Sequence, residues 1–336
     1  MRWLAEEAIL ATMEIYPLLL KSVYKEYLWG GNRIARKYGR EDAPKLCAES
    51  WEVTDRPEGM SVVLNGSLKG ATLHELVQKM GADLLGRGVD ADRFPLLIKI
   101  IDAKKDLSVQ VHPNDDNAHL TGGEAKTEMW YVLDADATAK IYAGMKPGVT
   151  RQKFEEALNN KRLEQDVLAA IPAKTGRTVF VPGGRLHAIG AGCLLLEVQQ
   201  NSNTTYRVYD WDRVGADGKP RELHLEKALQ VIDWDHPMPE VVPPKLIESD
   251  HLNQHWQILD SPFFRLQRFD LSEPRDINHD GDSFQILFVL RGTTLIGANG
   301  IMAACAPGTS CLIPAAAHDY TITPIKGSAS IMLITM

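Results

Sequence analysis

Between positions 107 and 133 the sequence LSVQVHPNDDNAHLTGGEAKTEMWYVL sets an amide, an imidazole, an ammonium and a carboxylate close together in two strand-like runs. Side chains two apart share one face of an extended strand, so Gln110 and His112 point one way while Val109 and Val111 point the other. The same parity sets Lys126 beside Glu128. If residues 107–111 and 126–133 pair, with residues 112–125 and their Gly-Gly turn closing the hairpin, then Gln110, His112 and Glu128 converge on one ion. A fourth donor must come from elsewhere. Residues 178–197, TVFVPGGRLHAIGAGCLLLE, have strand character on both sides of a Pro-Gly-Gly turn and offer His187 for that place, two residues from Arg185 on one face. The plainer alternative makes His112 the opening of a turn, Glu128 a solvated strand residue and His187 an imidazole tucked against glycine.

Two further runs bear on such a cavity. In residues 197–211, EVQQNSNTTYRVYDW, one parity reads Glu197, Gln199, Asn201, Asn203, Thr205, Arg207, which predicts either a wet cavity or an exposed sheet face. Residues 94–101 are apolar except for Lys99, whose charge is too costly to bury without a partner. Lys99 therefore either snorkels at a strand edge or faces a polar cavity.

The elements that would hold these groups are mainly β. Residues 49–55 alternate as a half-buried strand, and residues 72–84 have helical spacing after a threonine cap. Residues 150–170 form the clearest helical region, charged enough to lie on the surface and broken at Asn159-Asn160. A short helix follows over 222–231, then a Pro-rich linker over 235–245. Beyond it, short apolar runs separated by Gly and Pro turns predict a second all-β sandwich without a donor set, its His279 and His318 being surface residues. The expected division is an extension over 1–12, helical or disordered, with Met13 as an alternative start; a metal-binding domain over 13–240 with a helical insertion near 150–170; and a C-terminal β domain over 241–336.

Composition narrows the function. The 336 residues, 44% hydrophobic and 24% charged, describe an ordinary globular protein, and the formal net charge of -7 argues against binding to nucleic acid or to an anionic membrane. Cys47, Cys193, Cys305 and Cys311 are scattered without C-x-x-C spacing, as reduced thiols in a cytoplasm are. No run approaches the roughly 18 apolar residues of a membrane span. Glu6 and Glu7 interrupt any signal-peptide core. A cytoplasmic location is expected.

The blocks LLIKIIDAKKDLSVQVHPND, AKTEMWYVL, VPGGRLHAIGAG and LLLEVQQNSNTTYRVYDWDR, in this order, with YLWGG and AESWEVT before them, resemble those of type I mannose-6-phosphate isomerases, the short bacterial form in particular. The resemblance implies a double cupin (jelly-roll) architecture with a few surface helices. It also implies a metal-dependent aldose–ketose isomerase interconverting mannose 6-phosphate and fructose 6-phosphate, with one zinc or other divalent ion per chain. Its ligands would be Gln110, His112, Glu128 and His187. Arg207 falls where the family has an active-site arginine, and Lys126 matches the lysine of its K-P-E block, here K-T-E. The large helical insertion of the longer enzymes is missing, which leaves the substrate lid undetermined.

The chemistry fits those residue types. Moving a carbonyl between C1 and C2 requires removal of a carbon-bound proton, and the developing enediolate oxygens need a positive partner. An ion held by two imidazoles, a carboxylate and an amide oxygen keeps net positive charge, and Arg207 would add a fixed cation. Lys126, His112 and a metal-held water stay open as the base; Lys99, Lys126 and Arg185 stay open as partners of the 6-phosphate. The alternatives are a non-catalytic sugar-phosphate-binding cupin and a cupin dioxygenase. Gln110 as a neutral ligand and Arg207 in the cavity weigh against the dioxygenase, and no proton-transfer group is lost as a mere binder would allow. A small sugar phosphate is the expected partner; the number of subunits is left open.

Overall fold

The computed structural model describes residues 14–215, 218–235 and 240–336, so the expected extension over 1–12, Met13 and part of the Pro-rich stretch lie outside the described residues. The fold is mainly β, as expected, and divides into two compact units. One comprises residues 22–59 and 95–244; the other joins the N-terminal stretch through Lys21 to residues 60–94 and 245–336. The reading of 13–240 as one continuous domain therefore differs from the observed path. Residues 60–94 leave it because their partners are distant in sequence: Leu64 donates its amide to the Leu19 carbonyl (2.8 Å), Phe284 donates to Leu85 (2.9 Å), and the Phe94 and Phe284 rings lie 4.3 Å apart. The helix Leu73–Met80 in this excursion has the expected Thr72 cap, and Glu75 closes the reciprocal capping box.

The unit that carries the site-type residues is a sandwich of two antiparallel sheets. A five-stranded sheet runs in the order Leu168–Pro172, Lys140–Met145, His187–Ile189, Val109–Val111, Tyr206–Tyr209. A seven-stranded sheet runs Glu240–Val242, Thr178–Val181, Glu128–Ala135, Cys193–Gln200, Leu96–Ala103, Glu49–Val53, Val23–Lys25. Residues 107–111 and 126–133 are thus not a hairpin. Val109–Val111 pairs with His187–Ile189 and Tyr206–Tyr209, whereas Glu128–Ala135 pairs with Thr178–Val181 and Cys193–Gln200. The segment between them, with the short helix Ala118–Thr121 ended by the left-handed Gly122, crosses from one sheet to the other. Strand parity fixes which side chains share a face but not which strand is the neighbour.

Period-two alternation sorts the faces. Ile101, Trp130, Val132, Val179 and Leu195 of one sheet meet Ile141 and Ile189 of the other in the interior. The far face of the five-stranded sheet, with Val109, Val111 and Val208, is covered by Phe154, Leu163 and Val231 of the helices Arg151–Asn159, Leu163–Asp166 and Leu225–Val231. The first two fill the expected helical region, with the break at Asn160, but Leu168 already begins a strand. After Glu49, the strand Glu49–Val53 is buried on both faces rather than half-buried, because Arg40 lies over Ser50 (2.6 Å) and Glu52 (2.7 Å) on the polar face.

In the other unit two long strands, Gln285–Ala298 and Asp319–Thr335, pair along most of their length. Breaks in register beside Arg291 bend the pair, where Gly292 takes φ 75°. Leu287, Val289, Ile296, Cys305, Ile313, Ile331 and other apolar side chains fill the interior they enclose. Among the described residues, no cluster of histidine, cysteine and carboxylate side chains with metal-site spacing falls in this unit.

Candidate metal centre and catalytic cleft

Parity and register bring the site together. Because Val109 and Val111 are committed to the helix-covered face, Gln110 must face the interior; Tyr206 and Val208 turn Arg207 inward in the same way. Gln110 is directly opposite His187 on one neighbouring strand and Arg207 on the other. From the facing sheet Glu128 points inward, with the parity of Trp130 and Val132. His112 follows its strand by one residue. Its position is set by the Pro-Gly-Gly turn, because Gly184 donates its amide to the His112 carbonyl (2.7 Å). A side chain at Gly183 would meet the Pro113 carbonyl and Asn114 Cα at 2.7 Å, so this close approach requires glycine.

His112, Glu128 and His187 place one donor atom each within 4.8 Å of one another, all buried. His187 Nδ1 lies 2.8 Å from the Arg185 carbonyl, which can only accept, so Nδ1 carries the proton and Nε2 presents a lone pair. That lone pair faces Glu128 Oε1 at 3.4 Å. Two acceptors thus confront each other, and both atoms are buried without a hydrogen-bond partner. On the other side Lys126 Nζ is 2.8 Å from Glu128 Oε2 and 3.1 Å from His112 Nε2, an ammonium between a carboxylate and an imidazole. An unpartnered buried acceptor costs about 1–3 kcal/mol, and a cation between Glu128 Oε1 and His187 Nε2 removes two of them. The donor set fits a divalent ion of borderline softness.

Electrostatics agree with that fit. Burial, helped by the Lys126 ammonium, pushes His112 down to about 3, and burial lowers His187 as well, so both imidazoles are neutral. Burial opposes the charge of Glu128, yet the Lys126 ammonium beside it holds its carboxyl well below the usual range. Neutral imidazoles and an ionised carboxylate are the forms that ligate metals.

A cleft of about 330 Å³ opens beside these groups, lined by Gln110, Lys126 and Arg207 together with Lys99, Glu197 and Arg221. Of the parity noted in residues 197–211, Glu197, Asn203, Thr205 and Arg207 line it, which makes that face the wall of a polar cavity. Lys99 is buried there and paired, 3.1 Å from Glu197 and 3.9 Å from Glu49. Burial works against its charge, but Glu197, Glu49 and Glu128 outweigh it and raise the pKa. Glu197 also accepts from the Trp130 indole (2.8 Å), and Trp130 packs edge-on to His187, 5.4 Å between centroids. Arg185, one of the candidates for phosphate, is not part of the cleft lining: it turns to the Phe180 carbonyl (3.2 Å) and Glu240 (3.6 Å), because it precedes the strand that carries His187. Sequence reasoning missed Glu49, Tyr27 and Arg221. Glu49 was legible only as the charge that a buried Lys99 requires.

This architecture is that of a cupin-fold protein with a polar, metal-type centre in one unit. Residues 18–148 match the family described as phosphomannose isomerase type I, catalytic domain, and residues 256–335 match mannose-6-phosphate isomerase, cupin domain. A probable mannose-6-phosphate isomerase of Bacillus subtilis strain 168 is 36% identical over 320 residues, covering 95% of this chain and 98% of that protein. The mannose-6-phosphate isomerase of Streptococcus mutans is 38% identical over 260 residues, 76% of this chain and 79% of its own. The crystal structure of the Bacillus subtilis mannose 6-phosphate isomerase superposes with a TM-score of 0.86 at 33% identity, over 95% of this chain and 99% of that one. The chain belongs to the type I mannose-6-phosphate isomerase family, and is thereby an aldose–ketose isomerase.

Proposed function

We propose that the protein interconverts mannose 6-phosphate and fructose 6-phosphate by proton transfer through an enediol, using one divalent ion, zinc by its donor chemistry, held by Gln110, His112, Glu128 and His187. The observation that carries the metal is the buried, donorless confrontation of His187 Nε2 and Glu128 Oε1. Gln110 adds the fourth, neutral donor from its place between His187 and Arg207. A bound divalent ion supplies positive charge for the oxygens on which negative charge develops.

The chain's own residues do the rest. Arg207 and Lys126 face the cleft, and each places a cation where an anionic sugar phosphate enters. Lys126, within hydrogen-bond reach of both Glu128 and His112, is positioned to hold or pass a proton. Arg207 presents a guanidinium to the enediolate oxygens, and its planar fork engages two oxygens at once. The buried Glu197–Lys99–Glu49 chain holds the cleft wall and anchors Trp130 against His187. The testing experiment is a coupled assay with mannose 6-phosphate before and after chelation, with zinc restored. Product that disappears on chelation and returns with zinc, without oxygen uptake, supports the reading. Full turnover by metal-free protein refutes the metal, and no turnover under any metal refutes the substrate.

A further inference from the structure

Arg207 lies on Tyr206–Tyr209, the edge strand of the five-stranded sheet, with a single strand neighbour. An edge residue whose side chain must be aimed into a cleft needs something to hold its free side. The chain returns to supply it. His224 donates its backbone N–H to the Arg207 carbonyl (2.7 Å), Arg207 donates its backbone N–H to His224 Nδ1 (3.2 Å), and Arg207 Nη1 donates to the Glu222 carbonyl (2.8 Å). Arg207 Nε is buried and has no hydrogen-bond partner, so the aim of the guanidinium depends on this clip.

We propose that His224 is a positioning residue for Arg207, acting through a neutral Nδ1 that accepts the Arg207 backbone N–H. This rests on the reading of Arg207 as the cation of the reaction, and adds to it the group that fixes that cation in place. Since Nδ1 accepts, the proton resides on Nε2, and a second proton would set an N–H against an N–H. The groups around His224 are Arg207 and Tyr206 of the edge strand, Glu222 of its own segment (3.9 Å from Nε2) and Lys227 of the helix Leu225–Val231. Burial first, then Arg207 and Lys227, disfavour the charged ring; Glu222 favours it, and the pKa is lowered. The accepting form therefore persists to mildly acidic pH, and the clip is lost as pH falls through the lowered pKa.

The test uses the metal-loaded, full-length protein and mannose 6-phosphate. H224A loses kcat on the order of 10-fold or more, as a slightly misaimed group does, with KM within about twofold and metal content unchanged. H224N, whose amide oxygen occupies the place of Nδ1, recovers most of kcat. Because asparagine does not titrate, the fall of kcat on the acid side attributable to His224 is missing from its pH profile. H224Q carries its oxygen at the place of Nε2 and loses kcat as alanine does, which keeps the test decisive if H224A folds poorly. Wild-type kcat in H224A, or equal losses in H224N and H224Q, overturns the inference. R207A is measured alongside. An inactive R207A with a fully active H224A refutes the clip alone, whereas a fully active R207A refutes the Arg207 reading and the clip with it.

Discussion

Replacing Lys99 with methionine removes the one cation that Glu197 and Glu49 share inside the cleft wall. Methionine keeps most of the volume, so the change is chiefly electrical. Glu197 is almost wholly buried, with one carboxylate oxygen on Trp130 and the other on Lys99. Breaking a buried pair by deleting one partner costs about 3–5 kcal/mol, because the remaining charge is left uncompensated. A carboxylate has an escape that fixed charges lack, namely protonation. Burial, with Glu128 nearby, already raises the Glu197 pKa, while Lys99 and then Lys126 pull it down; losing Lys99 raises it further. A folded-state pKa raised above the unfolded value favours the fold below the unfolded pKa, and that advantage is lost as pH rises through the folded pKa. The K99M deficit therefore grows with pH, at most about 1.4 kcal/mol per unit. In urea unfolding of both proteins between about pH 5 and pH 8, K99M should be about 3–5 kcal/mol less stable at the alkaline end and lose most of that deficit at the acidic end. A deficit of the same size across the range would refute the assignment of Glu197 as the group that carries the strain.

Other outcomes follow from the same geometry. H187A and E128A should each lose bound metal and activity together, as elemental analysis and the coupled assay would report, whereas the unaltered protein should show about one divalent ion per chain. R207A should lower kcat on the order of 10²-fold with metal content unchanged, and R207K should rescue only in part; a change confined to KM would make Arg207 a phosphate anchor instead. Turnover in heavy water should place deuterium at C1 of fructose 6-phosphate or C2 of mannose 6-phosphate, measured by mass spectrometry after prolonged equilibration. Complete absence of label would favour a hydride shift over the enediol.

What was legible in the sequence was local. Alternation told which side chains share a face, Gln110 with His112 and Arg207 with the polar side chains after Glu197, but left open whether the latter face was a wet cavity or an exposed sheet surface. The cost of an unpaired ammonium left Lys99 either snorkelling at a strand edge or facing a polar cavity, and it lies buried in the cleft wall, paired with Glu197. Neighbours were not legible: the run at 107–111 and the run at 126–133 looked like a hairpin and instead belong to opposite sheets, since pairing depends on partners scores of residues away. The departure of residues 60–94 into the other unit had the same cause. His224 gave no signal at all, for its contacts with Arg207 run largely through the backbone, which every residue possesses.

The unit that joins residues 14–21 to residues 245–336 has a consequence for how the protein is made. The Asn299 side chain donates to the Ile15 carbonyl across 284 positions, and Leu18–Leu19 pairs with Cys311 and Leu312. At about 5–20 residues per second on the ribosome, the first strand emerges roughly a quarter of a minute to a minute before the strand it will join exists. During that interval Leu18, buried in the finished protein, can gain the neighbours of its segment in residues 62–68 but not its strand partner Leu312. Every residue of the unit bearing the cleft, through Pro244, is synthesised within that interval, before Cys311 and Leu312. The nascent chain thus has the means to close the unit bearing the cleft before the strand Leu18–Leu19 meets the strand it pairs with.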